Sequence, residues 1–317
     1  MILFISERDY ANMGFLLSKS LNQVGVKAIS LASIPSPIRQ ENEQSIIYNN
    51  QKELFNFVRE ANVIVLMHSV KTPIGKALNK NTKIVVFHGG SRYRRNFNKH
   101  NKKFNPVVNM TLIQTGELLG LGAKNEKWLL PPIDTNFIKP TFGIHNPIII
   151  GHYPSNKVGN EHDIKGTNSV VKVIKNLKKS SFNFDFRYKD AYTVTPRVSW
   201  KKNLKRMRKC DIYIESLNID STSKNQHDWS VTALEAAALG KIVITNFRNK
   251  ERYLKEYGNC ELLVVNSKEE LRKTLIKLLK TPYDELEIIQ KKTRNWVEKY
   301  HSFESIGNRL KSLMNKI

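Results

Sequence analysis

Asp228-Trp229-Ser230-Val231-Thr232-Ala233-Leu234-Glu235-Ala236-Ala237-Ala238-Leu239-Gly240-Lys241-Ile242-Val243-Ile244-Thr245 is the stretch whose reading decides the fold. Val231 to Leu239 combines strong helix formers with apolar residues at helical spacing. Gly240 suits a left-handed cap, and Ile242–Ile244 is a β-branched strand. A helix therefore opens near Trp229, Ser230 and Val231 and feeds a buried strand. The first turn of such a helix offers unpaired N–H groups and a positive dipole end, so an anion such as a diphosphate is stabilised there. Glu235 lies about one turn deeper, where a carboxylate can accept from two vicinal sugar hydroxyls. The combination suits a nucleotide sugar.

Working outward, Pro147–His152 predicts a strand, and Val170, Val171, Ile174 and Leu177 predict a helix. Between them lie Lys157 and Lys165-Gly166-Thr167. Two lysines ahead of a helix N-terminus make a second good diphosphate position, because point charge adds to the backbone N–H groups. Phe182–Tyr188 alternates as a strand, Trp200–Arg208 is a strongly basic helix, and Asp211–Glu215 is a strand leading into a loop to His227. That loop offers a place for a nucleoside base. Glu261–Val265, Glu269–Leu279 and two basic helices over Tyr283–Ile317 complete this half.

The first half opens as βαβ. Ile2–Ile5 is an apolar strand, Met13, Leu16, Leu17, Leu21 and Val24 recur at helical spacing, and Val26–Leu31 is the next strand. Only Gly14 stands at the helix start, so the three-glycine dinucleotide fingerprint is missing, which argues against a nicotinamide dehydrogenase. Strands are expected at Val63–Met67, Lys83–Phe87 and Val107–Gln114. His88 follows the second of these with Gly89 and Gly90, at a carboxyl strand end where α/β sheets gather ligands. Arg92, Arg94, Arg95, Lys99, His100, Lys102 and Lys103 then run without an acidic residue, and read either as a mobile cationic loop or as an anion clamp.

Composition narrows the remaining classes. The chain of 317 residues holds two α/β domains comfortably. A formal charge of +24 implies polyanions nearby, whether a lipid surface, a phosphorylated polymer or nucleic acid. Cys210 and Cys260 are too few and too far apart for a metal site and read as reduced core residues. No apolar run has the length of a membrane span, so a cytoplasmic protein is expected, with a peripheral position at the inner face of the membrane as a further expectation.

Five blocks together resemble the retaining GT-B glycosyltransferases of the group 1 (family 4-like) type. Asp9, Asn12 and Gly14 fit their first loop, and His88 to Arg94 fits their His-Gly-Ser-x-x-Arg run. Thr115–Asp134 is similar to the segments leading out of their first domain, His152–Thr167 to their donor-diphosphate loop, and Asp228–Thr245 to the region of two glutamates eight positions apart. Glu235 matches the second glutamate, while His227 stands where the first is expected.

The resemblance implies an α/β GT-B fold. Two Rossmann-like domains, at 1–143 and 144–317, would face a cleft, with C-terminal helices crossing back to the first domain. It implies transfer from a nucleotide-sugar donor with retention and without a metal or other cofactor. Lys157, Lys165 and the helix mouth at Ser230 and Val231 would hold the departing diphosphate. Glu235 would hold the ribose, and His88 would orient the sugar or acceptor hydroxyl. Asn12 and Gly14 would line the donor site, with His227 a sugar contact. The acceptor is expected to be a surface glycan or lipid-linked saccharide. The open alternatives are a DNA base, as in phage enzymes of this fold, or a non-catalytic nucleotide-sugar or nucleic-acid binding module.

Overall fold

The computed structural model describes residues 1–36, 44–67, 73–154, 163, 165–188, 198–217 and 228–317. They form two units, one of Met1–Ile133 with His301–Ile317, the other of Asp134–Tyr300.

In chain order the first unit contains β1 (Ile2–Arg8), α1 (Met13–Gln23), β2 (Ala28–Ile34), β3 (Ile46–Ile47), α2 (Gln51–Glu60), β4 (Val63–Met67), β5 (Lys83–His88), α3 (Ser91–Phe104), β6 (Met110–Ile113) and β7 (Glu126–Trp128). The strands lie in the order β3-β2-β1-β4-β5-β6-β7, and every pair is parallel. Central β1 and β4 are covered on both faces, which is why they read as unbroken apolar runs rather than alternating ones. Ile2 stands opposite both Ala28 and Val63, so β1 is where the strand order reverses. Leu3, Ile5, Leu31, Ile64 and Val86 form the core under α2.

The second unit contains β8 (Ile148–His152), α4 (Thr167–Lys179), β9 (Phe184–Tyr188), α5 (Trp200–Arg208), β10 (Ile212–Ile214), α6 (Val231–Ala238), β11 (Ile242–Thr245), α7 (Lys250–Tyr257), β12 (Leu263–Val264), α8 (Lys268–Lys280) and α9 (Tyr283–His301). Its parallel sheet has the order β12-β11-β10-β8-β9, a doubly wound arrangement with its switch point between β8 and β10. The core gathers Ile148, Ile150, Ile212, Ile214, Ile242 and Ile244 from the strands with Val170, Ile174, Leu271 and Leu275 from α4 and α8. α10 (Phe303–Met314) then belongs to the first unit again, packed on α1.

The dividing line falls at 133/134 and 300/301, where the sequence reading put a single boundary at 143/144. Residues 134–143 are tied into the second unit. Arg294 donates to the carbonyls of Thr135, Ile138 and Ala238, the Thr141 N–H donates to Leu239 O at 3.0 Å, and Lys241 Nζ donates to Thr141 O at 2.8 Å. The C-terminal segment belongs to the first unit because Gly307 lets α10 come close to α1. A Cβ there would stand 2.3 Å from the Ser20 carbonyl oxygen.

The cationic stretch after His88 is a helix with a kink at Asn96, not a loop. Its inward side carries Tyr93 and Phe104, and the Tyr93 hydroxyl donates to Asn101 Oδ1 two turns on at 2.9 Å.

Candidate active site at the second sheet

β8 and β10 end side by side at His152 and Ile214, and the next residue, Glu215, is fully enclosed. Its carboxylate is saturated. Oε1 pairs with the Lys165 ammonium and accepts from Ser230 Oγ at 2.6 Å and Thr232 Oγ1 at 3.2 Å. Oε2 accepts from Ser216 Oγ at 2.5 Å and Thr245 Oγ1 at 2.9 Å. Burial alone would push this carboxyl up, but the adjacent Lys165 charge and the bonds from Lys165, Ser216 and Ser230 outweigh it and hold the group down at about 2. Glu215 is therefore an anion at any physiological pH.

Lys165 is 8% exposed and also donates to Ser230 Oγ at 2.9 Å. Ser230 is the N-cap of α6, and its side chain makes no capping bond to that helix. Its hydroxyl is spent on Glu215 and Lys165 instead. The result is a cation fixed at the mouth of α6, with Val231 as the first helical residue. Lys165 and Ser230 thus meet at the start of α6, next to Val231.

The entry to α6 is itself anchored. Asp228 accepts from the Arg248 N–H and from Asn249 Nδ2, both at 2.8 Å, and Trp229 packs edge-on against Phe247.

Glu235 is buried, at 4% exposure, and accepts from the Trp200 indole N–H at 2.6 Å. Tyr213, in β10, lies between the two glutamates. Burial, then the charge of Glu215, then that of Glu235, raise its phenol well above the ordinary range, against a hydrogen bond with Thr232. His152 closes the floor. Its Nδ1 lies 2.8 Å from Ile214 O, which can only accept, so the proton sits there, and Nε2 then accepts from Thr167 Oγ1 at 3.0 Å. Burial holds this imidazole neutral, down at about 4.

The start of α4 differs from that of α6. Asp163 accepts from the Thr167 and Asn168 N–H groups, each at 2.8 Å, so this helix mouth already holds an internal carboxylate. Lys157 and His227 lie outside the described residues.

In the first unit the expected donor contacts fall elsewhere. The mouth of α1 is occupied by Asp9, which accepts from the Gly14 N–H at 2.8 Å, the Phe15 N–H at 2.9 Å and Ser45 Oγ at 2.8 Å. Desolvation raises its carboxyl, and those backbone bonds pull against it. Gly14 is required for packing, since a Cβ would lie 2.6 Å from Ser30 Oγ and 3.2 Å from Asp9 Oδ2. Asn12 is buried with left-handed backbone, φ 59° and ψ 28°, one residue ahead of α1. These positions shape a turn; the anion that suits it is already part of the chain.

His88 ends β5 but is 1% exposed, stacked on Tyr93 with ring centroids 3.9 Å apart and flanked by His100 and Phe104. The side chain faces the underside of α3. The inward turn of Tyr93 brings its ring against the imidazole.

Glu215, Asp163 and Trp200 were missed from sequence. Glu215 carried a signal, a carboxylate directly after an apolar strand run. Among the described residues no three His, Cys, Asp or Glu side chains are grouped to hold a metal ion, and no helix is long and apolar enough to cross a membrane.

Neither a protein-family model nor a curated protein matches the chain. Solved structures do. Anabaena Alr3699/HepE, in complex with UDP-glucose, is similar over 100% of this chain and 99% of its own, with a TM-score of 0.66 at 11% identity. Sucrose-phosphate synthase (tll1590) from Thermosynechococcus elongatus gives a TM-score of 0.61 at 12% identity, covering 100% and 98%. AviGT4, a glycosyltransferase involved in avilamycin A biosynthesis, gives 0.58 at 10% identity, covering 100% and 97%. With its two parallel α/β sheets and these end-to-end matches, the chain has the GT-B fold.

Proposed function

We propose that the protein is a glycosyltransferase that takes a sugar from a nucleotide-diphosphate donor held by the second unit. The observation that carries this is the Lys165 ammonium locked by Glu215 and Ser230 at the mouth of α6, at the switch point of a sheet with this fold. Among the described residues, two of the three Lys165 N–H donors are used by Glu215 and Ser230, which leaves one for a phosphate oxygen. The α6 N–H groups and dipole add to it. Charge develops on the departing diphosphate, so a preorganised cation there lowers the barrier.

Glu235, a little more than one turn into α6, is assigned to the ribose hydroxyls, with the Trp200 N–H fixing its carboxylate. The complex of HepE with UDP-glucose supports a uridine nucleotide as the first donor to try. The resemblance of Asp228–Thr245 to the retaining enzymes supports retention. With Lys165 and α6 supplying the positive charge, the reaction needs no metal, and turnover should survive EDTA. The excess of basic residues supports an acidic acceptor, a surface glycan or lipid-linked saccharide.

Thermal unfolding in the presence of UDP, GDP, ADP and their sugars tests the assignment. A nucleotide at a hundred times its dissociation constant adds about 2.7 kcal/mol. A selective response to one base supports the donor site and names the sugars to try for transfer. Equal indifference to all of them removes it.

A further inference from the structure

α3 carries no acidic residue, and its cations fall on the outside. Arg92, Arg95, Lys99, Lys102 and Lys103 are exposed, whereas Tyr93 and Phe104 are buried. Of the carboxylates near it among the described residues, Glu117 pairs with Arg94 and Glu126 accepts from the Gly120 N–H. The kink at Asn96 does not separate the two halves of the patch. His100, beyond the kink, is hydrogen-bonded to the Arg92 backbone, and burial and then the charges of Arg92, Lys103 and Lys99 push its imidazole below the usual range. Lys103 Nζ is itself placed over the Phe104 ring at 4.4 Å.

Four features of the patch select its ligand. Five exposed cations on one 14-residue helix exceed what a single carboxylate or phosphate can neutralise, so the ligand repeats its charge. Neighbours at three- and four-residue spacing stand about 5–6 Å apart, a separation of the order of that between successive phosphates in a phosphodiester chain. Tyr93 and Phe104 are turned into the core and Phe97 is half-buried against the Tyr93, Ile113 and Leu118 cluster, so α3 presents no exposed apolar face to insert into a bilayer and no fully exposed phenyl or phenol ring on which bases could stack. Exposed Asn96 and Asn98 add neutral donors and acceptors suited to hydroxyls.

We propose that the exposed face of α3 binds a base-free phosphodiester polymer, such as a polyol-phosphate chain. This deepens the transfer reading, on which naming that polymer as the acceptor rests. Binding is electrostatic and needs no turnover, so it can be measured separately from it.

The experiment uses the full chain and a fluorescently labelled glycerol-phosphate oligomer of about ten units, with oligothymidylate of equal charge and neutral dextran beside it. The wild type should bind the glycerol-phosphate oligomer with log K falling against log[salt] at a slope of roughly −3, about −0.7 for each phosphate contacted. Arg95→Gln/Lys99→Gln/Lys102→Gln should weaken binding at least tenfold while leaving the thermal response to UDP unchanged, which also shows that the variant is folded. A flat salt dependence, or equal binding by the variant, overturns the proposal. So does oligothymidylate binding more tightly than the glycerol-phosphate oligomer, which would make the face a nucleic-acid site. Salt-dependent, variant-sensitive binding of the oligomer by a protein that ignores every nucleotide would uphold the patch and remove only the acceptor label.

Discussion

The mouths of α1 and α6 stand at equivalent places, each at the carboxyl end of a strand at its sheet's switch point, and they are furnished in opposite ways. At α1 the chain supplies the anion, Asp9, and closes the turn with Gly14 against Ser30. At α6 it supplies a cation, Lys165, and uses a second buried anion, Glu215, to hold that cation still. The same topology thus gives one helix start capped by an internal carboxylate and one that carries a fixed cation. α4, capped by Asp163, belongs with α1. In this chain the starts of α1 and α4 hold the chain's own carboxylates, whereas the start of α6 holds the Lys165 cation.

The contrast is open to direct attack. Its largest expected consequence comes from changing carboxylate to amide at the α6 mouth. Glu215→Gln leaves a buried lysine without its counter-ion and should lower stability by about 3–5 kcal/mol in urea unfolding. A loss under 1 kcal/mol would mean that the pair is dispensable. Next, Lys165→Ala should cut sugar transfer by roughly 10², about 2.7 kcal/mol of barrier, in a steady-state assay with the donor found by the nucleotide panel; unchanged transfer would remove the lysine from the reaction.

Gly14→Ala, at the closed mouth, forces a methyl group against Ser30 Oγ and should cost about 1–3 kcal/mol while nucleotide affinity stays constant. Acid should weaken both units. His152 and His301 are buried and neutral, held at about 4 and about 3 by burial, against about 6.5 in the unfolded chain. Between pH 6.5 and 4 the unfolded state therefore binds protons that the folded state refuses. Stability is greatest above that window and should fall by about 1 kcal/mol per pH unit for each histidine as pH drops, read from unfolding midpoints at pH 7, 6 and 5. The smallest change is expected for Asp9→Asn. It trades charged caps for neutral ones but also removes a buried charge whose desolvation is unfavourable, so stability should move by no more than about 1 kcal/mol and nucleotide binding not at all. A new nucleotide site at α1 in that variant would break the comparison outright.

Much of the architecture was legible in residue order. Val63–Met67 is unbroken apolar sequence and became β4 with identical ends. Val231–Leu239 with Gly240 and Ile242–Ile244 appears as α6 and β11, because small residues and a left-handed glycine leave few alternatives. α3 was not legible as a helix. Its polar and charged residues hide a stripe of Tyr93, half-buried Phe97, Asn101 and Phe104, and a kink interrupts the period. Of the candidate site, the start of α6 and a lysine ahead of α4 could be read from local pattern. The Glu215 bond to Lys165 could not, because it joins residues fifty positions apart and depends on β8 and β10 being neighbours. The inward turn of His88 is of the same kind, since it depends on where Tyr93 packs.

The seating of α10 on α1 also bears on biosynthesis. Met1–Ile133 leaves the ribosome first, yet the helix that covers α1 is not made until all of Asp134–Tyr300 has been translated. The second unit, continuous in sequence, can complete its core during synthesis. The first must wait with one flank of α1 uncovered, and Gly307, which lets the late helix approach the Ser20 carbonyl, makes that final closure close-fitting.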